Sequence, residues 1–360
     1  MPKRAGGSGV GMTAMEDISY GRDWSRAAGG GVPLVSVFDT TVCDDNLGNQ
    51  IIMEAVDRHL RDLFPAAFFL RLPYLDQLGE QTITYTRRSA HVLLGGTNAL
   101  SSDMERYRQW GIDLEVARRM GKTTLMGVGW WQYQDDPSPY TRAVLRAALR
   151  ADGLHSVRDG YTLDKLKAIG IDNVVVTGCP SLWDVTDEHC AAIPEEKAPD
   201  VLLTLTNYAR HPSDAHLVEV LKRRYRTVYL WIQGPEDLEH AASLGGGFTV
   251  VDPSLAALDR LLAAPIPLDV VGTRLHAGIR AIAAGRRTLI VGTDNRAIEM
   301  ARDVNLPVLP RADIARLERV VTGRLPMAVT PPREAIARWK AQFGELGSHL
   351  PAEAARSVGA

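Results

Sequence analysis

The sequence predicts an α/β protein of two lobes, each built on a mainly parallel sheet, and three observations lead to this prediction. Short apolar runs rich in β-branched residues alternate with stretches of helical periodicity, as in parallel sheets covered by helices on both faces. The alternation pauses at a polar segment with two prolines, residues 191–199, and then restarts. The 360 residues are enough for two domains of ordinary size.

The first half of the chain contains five strand candidates. The first, residues 32–39, ends in a polar loop with the sequence TTVCDDNLGNQ. A helix is expected to begin at Ile51, because apolar residues then recur on one face through Leu63. The other four runs also lead into polar loops or helical stretches: residues 90–94, 123–128, 154–157 and 173–176.

The second half repeats this organisation with five more strand candidates: residues 201–205, 227–232, 248–251, 268–271 and 288–291. An amphipathic helix is expected at residues 333–343, packing back on the first lobe. The domain prediction is therefore a disordered, Gly- and Ser-rich tail followed by two lobes and a C-terminal helix with its own tail: residues 1–31, 32–195, 196–330 and 331–360.

Composition disfavours several classes of protein. The net charge of −2 lacks the basic excess of a nucleic-acid-binding protein. Three scattered cysteines are too few for a disulfide scaffold and suit a reducing cytoplasm. No apolar run approaches the ~18 residues of a membrane-spanning helix, and residues 1–31 lack the apolar run of a signal peptide. We therefore expect a cytoplasmic protein without a transmembrane segment.

The loop after residues 268–271 is the first candidate for a functional site, because ligands bind at the carboxyl ends of strands in open α/β sheets. It places Arg274 and His276 at the start of a predicted helix. Arginine suits carboxylate or phosphate, histidine exchanges protons near neutral pH, and a helix N-terminus adds amide donors. The alternative is a capping loop whose histidine only hydrogen-bonds the backbone.

The loop after residues 154–157 supplies a second basic residue, Arg158. We interpret Arg158 as facing the same anion from the other lobe, and Asp159 as the cap of the following helix. The alternative for Arg158 is an ion pair with Asp159.

Four further loops supply candidate substrate contacts, and the fourth follows residues 288–291. The spacing of the acidic and amide residues at 44–50 matches no EF-hand loop, so no metal is predicted there. A glycine pair at 95–96 allows close approach of a ligand to the backbone. Of the adjacent Trp130 and Trp131, at most one is expected to stack on a sugar, because neighbouring side chains diverge. The candidates are Asn46, Gly48, Asn49, Gly96, Thr97, Asn98, Trp130, Asp294 and Asn295.

Several familiar motifs do not occur at the predicted strand ends. The chain has no GxGxxG, GxxxxGK[ST] or GxSxG there, which disfavours nicotinamide enzymes, P-loop NTPases and α/β-hydrolases. Cys43 has no evident activating partner, so a thiol nucleophile is not predicted.

Three segments in order resemble the polysaccharide pyruvyl transferase family. The segment VVGTRLHAGIRAIAAGRRTLIVGTDNRAIEMARDVNLPVLPR resembles its C-terminal signature, in which an Arg-Leu-His turn opens a helix. HSVRDGYTLDKLKAIGIDNVVVTGCPSLWDV resembles its central signature, and CDDNLGNQIIMEAV resembles its first loop and helix. The resemblance covers roughly residues 34–312.

The resemblance implies a GT-B-like fold of two Rossmann-like lobes around a cleft. It implies transfer of a pyruvyl group from phosphoenolpyruvate, as co-substrate, to a saccharide or lipid-linked saccharide, giving a pyruvate ketal in cell-surface polysaccharide biosynthesis. A lipid-linked acceptor would imply peripheral contact with the inner membrane face. No further cofactor or metal is implied. Arg158, Arg274 and Leu275 would bind the donor, and His276, if protonated, would donate to the methylene carbon.

The chain departs from the family pattern at three positions, and two alternatives stay open. Asn49 and Cys179 stand where aspartate is frequent, and Arg296 lies in a loop that usually bears lysine. One alternative is a glycosyltransferase that uses a nucleotide sugar, with Glu299 as its ribose-binding acid. The other is a non-catalytic descendant that binds an anionic metabolite.

Overall fold

The computed structural model describes residues 32–344. The tail predicted at residues 1–31 and the segment 345–360 lie outside the described residues. Within the described range, helices alternate with strands, and all paired strands run parallel. The predicted α/β class with mainly parallel sheets is confirmed.

The first lobe is built on a four-stranded sheet of order β2-β1-β3-β4, followed by a two-stranded sheet, β5-β6. A bridge between Val128 and Val157 connects the two sheets. The strands are β1 (Leu34–Asp39), β2 (Phe68–Pro73), β3 (His91–Gly95), β4 (Thr123–Met126), β5 (His155–Val157) and β6 (Val174–Val176). The helices are α1 (Leu47–Leu63), α2 (Glu80–Arg88), α3 (Leu114–Arg119), α4 (Pro139–Ala148), α5 (Gly160–Ala168) and α6 (Asp187–Ala191).

The second lobe is built on a six-stranded sheet of order β12-β11-β10-β7-β8-β9. Its central strands β7, β10 and β11 are buried throughout, as expected for strands covered on both faces. The strands are β7 (Asp200–Thr204), β8 (Thr227–Trp231), β9 (Thr249–Val251), β10 (Leu268–Gly272), β11 (Thr288–Gly292) and β12 (Val308–Pro310). The helices are α7 (Ser213–Arg224), α8 (Asp237–Ser243), α9 (Leu255–Leu262), α10 (Leu275–Ala283), α11 (Asn295–Val304) and α12 (Leu317–Thr322).

One apolar cluster joins the two lobes. Helix α1 contributes Ile52 and Val56, and helix α10 contributes Ile279 and Ile282 to the same cluster. Both helices begin at the carboxyl ends of their strands, so their packing brings the two loop edges together. The lobes therefore share a core instead of meeting only through polar surfaces.

Two connecting segments run between the lobes and are bound to each other. The backbone N–H of Leu325, after α12, donates to Glu195 O, before β7, at 3.0 Å. The buried Arg287 guanidinium donates to Glu195 O at 2.9 Å and to Gly323 O at 2.7 Å. The two segments thus form one hydrogen-bonded pair held by a single arginine.

The last helix, α13 (Arg333–Ala341), returns to the first lobe. Trp339 on this helix is fully buried, and its ring centroid lies 5.5 Å from that of Trp183. Phe343 follows it and packs edge-on against Phe64 of the first lobe at 5.3 Å. The predicted amphipathic helix thus buries its apolar side against the first lobe.

Trp339→Ala is expected to lower the free energy of unfolding by about 3–5 kcal/mol, because it leaves a large cavity in the shared core. Arg338→Ala, on the exposed side of the same helix, is the matched control and is expected to change it by less than about 0.5 kcal/mol. Urea unfolding measures both. Similar small changes in the two variants would contradict the buried contact of α13.

Candidate functional site

The loops at the carboxyl ends of the two main sheets meet between the lobes. The Leu47 N–H, at the start of α1, donates to Gln233 O, just after β8, at 2.9 Å. The Gln233 side chain also donates to Asn46 Oδ1 at 2.9 Å. Helix α1 begins earlier than predicted because Asn46 caps it, accepting from the Gly48 N–H at 2.9 Å. These contacts bring the ligand-binding edges of both lobes together.

Arg158, in the loop after β5, is fully buried and does not line an open surface, in contrast to the expectation of a cleft-facing side chain. Its Nε donates to Asp159 Oδ2 at 3.3 Å, and its Nη2 donates to Asn98 Oδ1. Asp159 also caps α5 by accepting from the Thr162 N–H at 2.8 Å. Nη1 has no hydrogen-bond partner among the described residues. The ion pair with Asp159, which is itself fixed as the cap of α5, thus holds Arg158 in place. The N–H donors on its Nη1 stay unused among the described residues.

Arg274 immediately precedes α10 and is paired with a carboxylate that sequence reasoning missed. Its Nε donates to Asp237 Oδ2 at 3.0 Å and to Leu205 O at 2.9 Å, and its Nη2 donates to Asp237 Oδ1. The Tyr208 ring lies 5.0 Å from the guanidinium carbon, within cation–π distance. Within residues 32–344, no hydrogen bond involves Nη1 of Arg274.

Arg296 is the third arginine of this region. Its Nε donates to both oxygens of Asp294, at 3.0 and 3.1 Å, and its Nη2 donates to Asp294 and to the Tyr208 hydroxyl, at 2.5 and 3.2 Å. Tyr208 therefore contacts both Arg274 and Arg296. Burial alone would raise the pKa of Asp294, but the charges of Arg296 and Arg158 lower it below its usual value.

The three guanidinium groups share one arrangement. Each is oriented by a carboxylate from its own lobe, and each keeps an Nη1 group without a hydrogen bond to the described residues. Arginine presents its donors in a rigid planar fork, so a carboxylate on one edge fixes the direction of the remaining N–H bonds. The cluster offers pre-oriented donors to an anion.

His276 lies in the first turn of α10 and is almost completely buried. Burial, together with the charges of Arg296 and Arg158, lowers the pKa of its imidazole to about 3, while Asp294 opposes the shift. The imidazole is therefore neutral near pH 7. The condition attached to its expected role, that the ring be protonated, is therefore not met in the free protein.

A cavity of about 240 Å³ opens between the lobes beside Arg274. Asp44 lies at the edge of this cavity. Burial raises the pKa of its carboxyl, although hydrogen bonds from the Asn46 backbone and the Asn49 side chain act to lower it. Tyr208, whose ring is well exposed, also contributes to the lining. The lining residues are Asp44, Asp45, Asn46, Asn207, Tyr208, Gly234, Pro235, Glu236, Asp237 and Arg274.

Of the candidate contacts in the first loop, Asn46 lines this cavity, whereas Gly48 and Asn49 support the loop. The Asn49 side chain donates to Asp44 Oδ2 at 2.8 Å. Gly48 packs so closely against Gln233 that a Cβ would lie 2.7 Å from its Nε2. The glycine therefore permits the contact between the lobes.

The candidate contacts after β3 orient Arg158. Gly96 and Thr97 have φ values of 61° and 56°, and this left-handed turn precedes Asn98, which accepts a hydrogen bond from Arg158. Gly129 allows the guanidinium to lie against the backbone, since a Cβ there would be 1.9 Å from Arg158 Nη2. The turn at Gly96 and Thr97, together with Asn98 and Gly129, therefore affects the arginine cluster by positioning Arg158.

Two predicted contacts have side chains that belong to the core. Trp130 is fully buried and its Nε1 donates to Ser102 and Gln134, so its ring offers no exposed face for a sugar in this structure. Leu275 packs in the shared apolar cluster with Ile279. From the sequence alone, an apolar side chain beside a functional motif looks the same whether it packs in the core or contacts a substrate.

Of the two candidates after β11, Asp294 binds Arg296 in its own lobe, whereas Asn295 connects the lobes, as does Glu299 of the glycosyltransferase alternative. Asn295 donates from Nδ2 to Trp130 O at 3.2 Å. Glu299, proposed for ribose binding in the glycosyltransferase alternative, accepts from the Tyr133 hydroxyl at 2.6 Å and pairs with Arg302. Glu299 is buried and engaged, so it does not line the cavity.

Sequence reasoning missed the loop after β8 as a source of site residues. Glu236 lines the cavity and Asp237 binds Arg274. The signal was present, because a polar stretch follows the apolar strand at the same sheet edge as the Arg274 loop.

The described residues contain no group of three or more His, Cys, Asp or Glu side chains arranged to hold a metal ion. In the same range, residues 32–344, no helix has the length and hydropathy needed to cross a membrane.

A family model for polysaccharide pyruvyl transferase matches residues 46–244. The match includes the Asn46 loop, Arg158 and the loop after β8. No curated protein sequence matches the chain significantly.

Solved structures are similar in fold. S. aureus MnaA, solved with UDP, is 12% identical, with 88% of this chain and 96% of that chain covered and a TM-score of 0.51. UDP-GlcNAc 2-epimerase from Neisseria meningitidis, bound to UDP-GlcNAc, is 13% identical, with 87% and 99% covered and a TM-score of 0.40. The MnaA likeness confirms the expected GT-B-like architecture, and at this identity it concerns the fold alone.

Proposed function

The chain belongs to the polysaccharide pyruvyl transferase family, and we propose that it transfers a pyruvyl group from phosphoenolpyruvate to hydroxyls of a saccharide, forming a pyruvate ketal. One observation carries the proposal: the charges of Arg158 and Arg296 act on His276, Tyr208 connects Arg296 to Arg274, and none of the three arginines makes a hydrogen bond through Nη1 within residues 32–344.

The donor fits the charge and geometry of the cluster. Phosphoenolpyruvate presents a carboxylate and a phosphate, and both are preferred partners of arginine. Arg158 belongs to the first lobe, and Arg274 and Arg296 belong to the second. Groups from both lobes therefore surround the donor, and their charge stabilises the departing phosphate.

His276 moves the proton that the reaction needs. Burial and, after it, the charges of Arg296 and Arg158 lower its pKa. The negative charge of a donor bound at these arginines offsets their repulsion, so donor binding raises the pKa and the imidazole takes up a proton. That proton passes to the methylene carbon, and an acceptor hydroxyl bonds to C2. A second hydroxyl then displaces phosphate from C2. The two acceptor hydroxyls release two protons. One replaces the proton that His276 gave to the methyl group, and the other protonates the leaving phosphate.

The acceptor saccharide binds in the cavity beside Arg274. Asp44 and Glu236 offer carboxylate acceptors for sugar hydroxyls, and the exposed Tyr208 ring offers an apolar face. Tyr208 also hydrogen-bonds Arg296, so one residue of the cavity wall contacts the donor cluster. With a lipid-linked acceptor, the reaction takes place in the cytoplasm at the inner membrane face.

Ligand titration with thermal unfolding tests the donor. Phosphoenolpyruvate at about 100 times its Kd is expected to stabilise the protein by ~2.7 kcal/mol, and acceptor then triggers phosphate release. Stabilisation by a nucleotide sugar and not by phosphoenolpyruvate would favour the glycosyltransferase alternative and overturn the proposal. Binding without phosphate release from a panel of saccharides would favour the non-catalytic alternative.

Donor binding is expected to take up protons near pH 6, because His276 is neutral in the free protein, with a pKa of about 3, and becomes protonated beside the bound anion. Calorimetry in buffers of different ionisation enthalpy measures this uptake. His276→Gln is expected to bind the donor with less uptake. Equal proton uptake by both proteins would show that another group, or the phosphate itself, takes up the proton.

A further inference from the structure

A thiol that takes no part in the proposed reaction lies against the candidate catalytic histidine. Cys179 Sγ is 3.8 Å from His276 Nε2, and both side chains are buried. Cys179 comes from the segment after β6 in the first lobe, whereas His276 is on α10 in the second. The contact therefore forms only where the two lobes meet.

The hydrogen-bond partners of the thiol fix its direction. The Ser181 hydroxyl donates to Cys179 Sγ at 3.0 Å. With sulfur accepting from Ser181, the single thiol hydrogen is left for His276 Nε2. Burial raises the pKa of Cys179, so the thiol keeps this hydrogen near neutral pH. In the neutral imidazole the other nitrogen, Nδ1, then carries the proton.

We propose that Cys179 is a positioning residue that fixes His276 as the Nδ1–H tautomer, with Nε2 occupied by the thiol. Nδ1 makes no hydrogen bond within the part of the chain that the structure describes, so it is the nitrogen left for substrates. The meaning of this tautomer for catalysis rests on the proposed function, whereas the tautomer itself does not.

The charged groups around His276 support the same protonation state. Arg158 faces it from the loop after β5, Asp294 from the N-cap of α11, and Arg296 from the first turn of that helix. The arginine charges disfavour imidazolium, and the uncharged thiol does nothing to restore it. A carboxylate at position 179 would reverse this balance, because it would accept a hydrogen bond from Nε2–H and stabilise the charged ring.

Nitrogen-15 NMR of the histidine side chains tests the proposal directly, with His276→Gln used to assign the signals. In the unsubstituted protein, Nε2 of His276 is expected to be the unprotonated nitrogen. Cys179→Ser keeps a donor and is expected to keep this tautomer. Cys179→Asp is expected to move the proton to Nε2 and to raise the pKa of His276 by about 1–3 units.

Cys190 provides the matched control, because it is also buried but its Sγ lies 3.8 Å from Val329 O instead of a histidine. Cys190→Ser is expected to leave both His276 signals unchanged. Cys179→Ala removes the donor and is expected to increase the Nε2–H population. Unchanged His276 signals in Cys179→Ala would overturn the proposal even if Cys179→Asp failed to fold.

The effect of Cys179 on catalysis is tested by a separate measurement, the pH dependence of phosphate release. The acidic limb of kcat/KM for phosphate release is expected to move to higher pH in Cys179→Asp, following the NMR pKa. A protein that never releases phosphate from phosphoenolpyruvate would contradict the proposed function but leave the tautomer result intact. A changed tautomer with an unchanged pH profile would confine Cys179 to a structural effect on His276 and overturn its role in positioning for catalysis.

Discussion

His276→Ala is expected to lower phosphate release from phosphoenolpyruvate and acceptor by about 10²–10⁴-fold, the usual contribution of a general acid or base. Donor affinity is expected to stay within a few-fold, because the anion is held by the arginines. The imidazole carries no charge in the free protein, so its loss removes a proton carrier without removing a cation. Single-turnover phosphate release and calorimetric donor titration measure the two effects separately.

His211→Ala is the matched control, because this histidine is exposed and its side chain contacts only Ser213, at the start of α7. It is expected to retain full activity. Equal turnover by His276→Ala and the unsubstituted protein would remove His276 from the proton transfer. A parallel loss of donor affinity would instead identify it as a binding residue.

Arg158→Met is expected to weaken donor binding by about 10–150-fold, since hydrogen bonds to a charged group are worth about 1.5–3 kcal/mol. It is also expected to lower the free energy of unfolding by about 3–5 kcal/mol, because Asp159 keeps a buried charge without its partner. Calorimetric donor titration, in conditions where the variant is folded, and urea unfolding measure the two effects.

Arg58→Met is the control for arginine removal. Arg58 pairs with Asp184 at the surface, where its side chain is 52% exposed, so the pair is worth about 0–1 kcal/mol. Donor affinity is expected to be unchanged. Arg158→Lys keeps the charge but not the planar fork, and full donor affinity in this variant would contradict the need for guanidinium geometry.

The periodicity of apolar residues and the position of polar loops after predicted strands were sufficient to predict the overall architecture. The loops of Arg158 and His276 were predicted to follow strands and precede helices, and both do. Strand β2 was not predicted, because Arg71 and Pro73 interrupt its apolar run at a sheet edge. Strand β12 is only three residues long and ends in Pro310. In β12 the proline leaves only Val308 and Leu309 to form an apolar run.

The candidate site was less predictable, since its contacts join residues far apart in sequence. Asp237 neutralises Arg274 across 37 positions, and Cys179 meets His276 across 97. Burial was also hidden: Trp130 and Trp131 are adjacent, yet one is fully buried and the other stacks on Tyr107. The type of a residue indicates which chemistry it can perform. Whether its side chain is free or already buried and hydrogen-bonded depends on the contacts between the lobes.

The two connections between the lobes depend on one side chain. The Leu325 N–H donates to Glu195 O, and Arg287 of the second lobe donates to Glu195 O and to Gly323 O. A loss of the Arg287 guanidinium therefore weakens both crossings of the chain at once. The Tyr133–Glu299 hydrogen bond and the shared apolar cluster are separate links between the lobes.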